Sequence, residues 1–137
     1  MASREFLPVI LLGALLAVPY CLYAQQRRRP AQPFAAGLTV AAVVYVVFAL
    51  ARGAGPALPL ELGGVLLFAT LSVVGILWSP YLLSAGWLLH VAWDLEFHPI
   101  DHPGYAPSWY PVLCVGFDLV VAGCVFAVAR IARESAT

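Results

Sequence analysis

At 137 residues, with 63% hydrophobic and 10% charged side chains and a mean hydropathy of +0.91, the chain has too little polar surface to cover a water-soluble globule of its size. Formal net charge is zero and lysine is absent, which leaves no general basic field for a nucleic-acid partner. The composition therefore reads as an all-α, polytopic transmembrane bundle. Its first partner is the lipid bilayer, and residues 1–137 form a single integral membrane domain.

Five apolar runs can be drawn, each long enough to cross a hydrocarbon core of roughly 30 Å at 1.5 Å per residue. Four is the alternative count. The first, 6–24, carries Pro8 in its opening turn and Pro19 as an expected kink. One arginine, an apolar run and Ala24-Gln25 imitate a secretory leader. Leu22 stands where cleavage prefers a small residue, however, and Arg27-Arg28-Arg29 directly behind the run favours retention in the membrane. Pro30 and Pro33 bracket a short connection to the second span, 34–52, and Gly53-Ala-Gly-Pro56-Ala-Leu-Pro59 breaks that helix.

The third span is expected at 60–78. Ser79-Pro80 reads as an N-cap followed by proline at the first helical position, so a fourth span, 80–97, starts at once and makes a tight antiparallel hairpin with the third. Pro99 ends it, because the residue before proline is pushed out of the helical region. After a polar loop, Ser108 is expected to cap a fifth span, 108–130. With the N-terminus outside, Arg27 to Arg29 and the later Arg130 and Arg133 all fall on the cytoplasmic side of a bacterial-type plasma (inner) membrane, and the C-terminus is cytoplasmic. Arg52, Glu61 and the loop 98–102 then lie on the outer face, with Tyr105, Trp109 and Tyr110 as an interfacial belt.

Gly63, Gly64, Gly75, Gly116 and Gly123 are read as sites of close helix packing. Cys21, Cys114 and Cys124 lie inside apolar segments and are read as small buried residues rather than a disulfide framework. There is no internal repeat, and an odd span count argues against the inverted-repeat design of many transporters.

Polar chemistry is concentrated in one stretch. Trp87 to His102 holds all three histidines, His90, His98 and His102, together with Asp94, Glu96 and Asp101. Helical spacing puts His90 and Asp94 on one face, one turn apart. Glu96 falls on the opposite face near the surface, where it is solvated. Counting inward along the fifth span places Asp118 about 15 Å deep, and His90 lies about 12 Å deep on the fourth. These two helices are sequence neighbours and antiparallel, so His90 and Asp118 can meet. An ionisable residue at such depth costs at least ~2.5 kcal/mol on insertion scales, so the set should face inward.

Three readings of that set stay open. The favoured one is a divalent transition-metal site for zinc, iron or manganese. His90 is its principal ligand, Asp118 a ligand or the carboxylate that orients His90, Asp94 a second ligand or catalytic general base, and His98 and His102 further ligands from the loop. Such a site could be enzymatic on a lipid-phase or periplasmic substrate. The second is a small transporter or proton relay, as a homo-oligomer because five short helices enclose little pathway. The third is a structural subunit held by a buried His-Asp hydrogen bond, with Trp87 and Trp93 as packing residues.

His90-x-x-Trp93-Asp94 with a further histidine, a short proline-containing loop and Cys114-x-x-x-Asp118 on the next apolar span resembles a family of small bacterial membrane proteins known only as a domain of unknown function. The resemblance covers about Pro80 to Phe126. In that family two adjacent histidines follow the Trp-Asp pair, where this chain has Phe97-His98. The resemblance implies a recurring polar motif on two neighbouring membrane helices, supports His90, Asp94 and Asp118 as the residues to test, and implies no reaction. Membrane hydroxylases and desaturases are excluded, since their several multi-histidine boxes need more than three histidines.

Overall fold

The structure, a computed structural model, describes residues 2–101 and 104–137. Among the described residues it is all helical: α1 (Ala2–Gln25), α2 (Ala31–Ala51), α3 (Leu58–Leu77), α4 (Pro80–Phe97) and α5 (Trp109–Ser135), with a short 3-10 turn, Gly55–Ala57, leading into α3. Arg4–Gln25, Ala31–Ala51, Gly55–Leu77 and Trp109–Ser135 are each long and apolar enough to cross a membrane. Helix α4 is the exception, because His90, Asp94 and Glu96 dilute its hydropathy.

Leucines lie outside while ionisable residues are buried inside. Leu15, Leu66 and Leu77 are 67%, 70% and 70% exposed, whereas Glu61, His90, Asp94 and Asp118 are at most 1% exposed. In water this would be unstable; in lipid it is the expected arrangement, so the pattern is that of a membrane protein.

Helix boundaries follow local chemistry. Helix α1 runs unbroken through Pro8 and Pro19. Helix α2 closes in a Schellman motif: Ala54 N–H donates to the Ala49 carbonyl at 2.8 Å and Gly53 N–H to the Leu50 carbonyl at 3.2 Å, with Gly53 at φ +66°. That left-handed backbone is why glycine sits there. Pro56 and Pro59 then fall in first-turn positions, where no amide donor is needed, so helical structure resumes before Leu60.

Two expected caps are corrected. Ser79 is extended (φ −159°, ψ 122°) with Pro80 opening α4, but its hydroxyl makes no capping bond. Ser108 is already in helical backbone and its side chain caps nothing. Proline geometry, rather than hydroxyl capping, starts α4. At the other end His98 N–H donates to the Asp94 carbonyl at 3.2 Å and Pro99 stops the helix.

Helix α1 packs on α5, α5 on α4, α4 on α3 and α3 on α2, with α2 also touching α4. Helix α4 is therefore central. The α1–α5 contact is made backbone to backbone: a Cβ added at Gly116 would strike the Ile10 carbonyl, and one at Gly13 the Leu113 carbonyl. Gly64 makes room for the Trp93 ring and Gly75 for Leu83. Gly63 and Gly123, expected as packing sites, face open space instead. Helical spacing alone does not say which face is covered. The buried serine hydroxyls are satisfied by main chain: Ser84 donates to the Ala122 carbonyl at 2.7 Å and Ser72 to the Ala35 carbonyl at 2.9 Å.

Candidate functional site

The polar residues of α4 and α5 meet inside the bundle. His90 Nδ1 lies 2.7 Å from Asp118 Oδ2 and 3.4 Å from Asp94 Oδ2. One ligating atom from each of the three residues falls within 4.8 Å of the others. The cause is register: His90 and Asp94 are one turn apart on the α4 face that packs on α5, and antiparallel packing brings Asp118 to the same height. Phe68 of α3 closes the far side, its ring edge-on to His90 at 4.9 Å.

The set is incompletely satisfied. Tyr45 of α2 donates its hydroxyl to Asp94 Oδ1 at 2.5 Å. His90 Nε2, Asp94 Oδ2 and Asp118 Oδ1 are buried without hydrogen-bond partners. Two carboxylates facing one imidazole carry a net negative charge even when the imidazole is protonated, and the interior offers no water to disperse it. The arrangement therefore calls for a cation or a further proton. A divalent ion beside two carboxylates and one neutral imidazole would make the site electroneutral, and nitrogen with oxygen donors suits zinc, iron or manganese.

His98 is not brought to this set. Its ring stacks on Tyr45 with centroids 3.7 Å apart and planes 4° from parallel, and its Nε2 points to Glu61 Oε1 at 3.0 Å, off the line of a good hydrogen bond. Tyr45 thus stands between His98 and Asp94. His102 lies outside the described residues. Glu96 is exposed.

Sequence reasoning missed three participants. Tyr45 stood in an apolar, valine-rich run that gave no sign of facing inward. Glu61 was given no partner, and it is 1% exposed, pairs with His98 and accepts a hydrogen bond from the Tyr105 hydroxyl. Tyr105, expected in an interfacial belt, instead closes over Glu61, and burial together with that bond pushes its phenol above the usual range. One signal could have found this pair: counted outward from the Trp78-Ser79 turn of the α3–α4 hairpin, Glu61 and His98 lie at nearly the same height.

The result is a polar string through an apolar bundle. It runs from Asp118 and His90 to Asp94 and Tyr45, across the ring stack to His98, and on to Glu61 and Tyr105 near the α4–α5 loop. No curated protein and no solved structure matches the chain. The profile of the family described as "Family of unknown function (DUF6010)" matches residues 5–131, which span every residue of this string, and the chain therefore belongs to that family.

Proposed function

We propose that this is an integral membrane protein that binds a divalent transition metal through His90, Asp94 and Asp118. The carrying observation is the buried convergence of one imidazole and two carboxylates, with their ligating atoms within 4.8 Å and with unpartnered oxygens on both carboxylates. Three protein ligands leave an open coordination position, the arrangement that metal-assisted hydrolysis uses. Tyr45, bonded to Asp94, serves as the group that orients a ligand. With the N-terminus outside, the site lies nearer the outer face, toward the Glu61–Tyr105 end.

The test is elemental analysis of detergent-purified protein, prepared without metal-affinity steps, beside His90→Ala and Asp118→Asn. Near-stoichiometric metal in the parent, lost in both variants, supports the reading. No metal after reconstitution with zinc, iron and manganese overturns it.

The polar string favours a second reading, a proton relay, whose hydrogen-bonded steps are Asp118–His90, Tyr45–Asp94 and Tyr105–Glu61. That reading expects pH-driven flux in proteoliposomes to vanish in Asp118→Asn. Flux unchanged by the substitution removes it.

A further inference from the structure

Helix α1 ends at Gln25 and α2 begins at Ala31, so the turn between these two membrane-length helices, 26–30, lies where the chain meets the membrane surface. That turn carries Arg27, Arg28 and Arg29, all exposed. The three line one open basin of ≈ 980 Å³ together with Tyr23 and Gln32, and no acidic residue lines it. Among the described residues none of the three is ion-paired. The Arg27 guanidinium lies over the Tyr23 ring, 4.3 Å from its centroid, a contact made by the face of the group that leaves its edge donors to others. Helix α2 opens with no capping side chain, so the positive end of its dipole adds to the same field.

Such a basin calls for an anion, and what adjoins it decides which sort. Pro33 and Ala36 line the basin; one turn further along α2, Gly37 and Val40 line a second cavity, of ≈ 260 Å³ and open at its side. Tyr20 joins the two, since its ring lines the second cavity and its hydroxyl donates to the Pro33 carbonyl at 2.6 Å. Helices α1 and α2 share few other contacts, which leaves a seam between them. The seam is almost wholly apolar where it is accessible, and Val40 at its mouth is 60% exposed. Between Pro33 and Val44, which lines its far end, α2 rises about 16 Å at 1.5 Å per residue. That is the depth of one leaflet, half of a hydrocarbon core of roughly 30 Å.

We infer that the α1–α2 seam binds an anionic phospholipid, its phosphodiester held by Arg27, Arg28 and Arg29 and one acyl chain lying along α2 in the seam. Guanidinium groups take a phosphate through paired, charge-assisted hydrogen bonds, and basic pockets beside membrane helices hold anionic headgroups for this reason. The chain asks of the seam only apolar contact. A zwitterionic headgroup would bring a further cation to three arginines, and a free phosphate would use the basin and leave the seam unused. The inference does not rest on the metal reading, since no atom of His90, Asp94 or Asp118 takes part.

The full chain is reconstituted in phosphatidylcholine nanodiscs with a small fraction of phosphatidylglycerol that carries a diazirine midway along one acyl chain, and the labelled residues are mapped by mass spectrometry. Unlabelled phosphatidylglycerol, further phosphatidylcholine and inorganic phosphate compete in turn. The expected result is saturable labelling concentrated on seam residues such as Val40 and Val44 of α2 and Phe117 of α5, displaced by phosphatidylglycerol and not by the other two. Arg28→Gln should raise the half-saturating lipid fraction about fivefold, the ordinary contribution of one basic residue at an anionic surface. Val40→Trp fills the seam from an exposed position and keeps every arginine; it should abolish the seam labelling, and it stands in should Arg28→Gln insert with altered topology. Labelling spread evenly around the helices, or unchanged by Val40→Trp, means that the arginines only gather anionic lipid and overturns the inference. Displacement by inorganic phosphate assigns the basin to a soluble anion, and absence of label from the seam leaves it to another occupant; either result overturns the inference as well.

Discussion

Replacing Tyr45 with phenylalanine isolates one bond of the polar string. The substitution keeps the ring that stacks on His98 and removes only the hydroxyl that donates to Asp94 Oδ1 at 2.5 Å. Hydrogen bonds between membrane helices average about 0.6 kcal/mol and reach about 1.7, while bonds to ionised groups in proteins run about 1.5–3 kcal/mol. Asp94 is wholly buried and its other oxygen is already without a partner, so losing the donor leaves both oxygens bare. The expected loss is therefore at the upper end of the membrane range, about 1.5–2 kcal/mol. Reversible unfolding of the metal-free protein in mixed detergent micelles measures it, beside Tyr45→Leu, which also removes the stack. If Asp94 is a metal ligand, the same substitution should weaken metal binding about 10- to 100-fold, as loss of a ligand-orienting partner does. A change in unfolding free energy below about 0.5 kcal/mol would refute the reasoning that Asp94 depends on this donor, since it would equal an ordinary surface substitution.

Three further outcomes follow from the geometry. Gly116→Ala should cost about 2–3 kcal/mol by forcing α1 from α5, whereas Gly123→Ala, with open space around it, should be neutral or gain up to about 1 kcal/mol from helix propensity; equal effects in the same unfolding assay would contradict the assigned α1–α5 contact. Tyr105 holds its proton in the folded state above the pH, about 10, at which a free tyrosine loses it. The folded state then binds more protons, so the stability from its bond to Glu61 is present below about pH 10 and is lost as pH rises from there. Tyr105→Phe should flatten that alkaline limb and remove a late-titrating component from the tyrosinate absorbance; removal of a component titrating near pH 10 would instead show that Tyr105 is solvated. Glu61→Gln should disturb His98 and Tyr105 while leaving metal stoichiometry intact, because His98 is separated from Asp94 by the Tyr45 ring; loss of metal in this variant would bring His98 back as a ligand.

Composition by itself determined the solvent, and the prolines with it determined most of the helix boundaries. Apolar runs of membrane length have few structural options in lipid, since every amide must be paired within its own helix. Pro80 and Pro99 bound α4 because a missing donor and a restricted preceding residue act locally, without tertiary help. The core of the site was legible for the same reason: His90 and Asp94 share a face by helical period, and a single hairpin-like neighbour brings Asp118 to their depth. Tertiary structure alone decided the rest. Tyr45 faces Asp94 only because α2 packs against α4, and no pattern in a run of valines and alanines marks its inward side. Glu61 looked like an ordinary acidic residue in a first helical turn, His98 like a further metal ligand from the loop and Tyr105 like a membrane-interface aromatic. They form one cluster only when α3, α4 and the loop before α5 close on each other. The same closure decides which glycines carry contacts, Gly116 against Ile10 but not Gly123, because period assigns a residue to a face of its helix and only packing decides what covers that face.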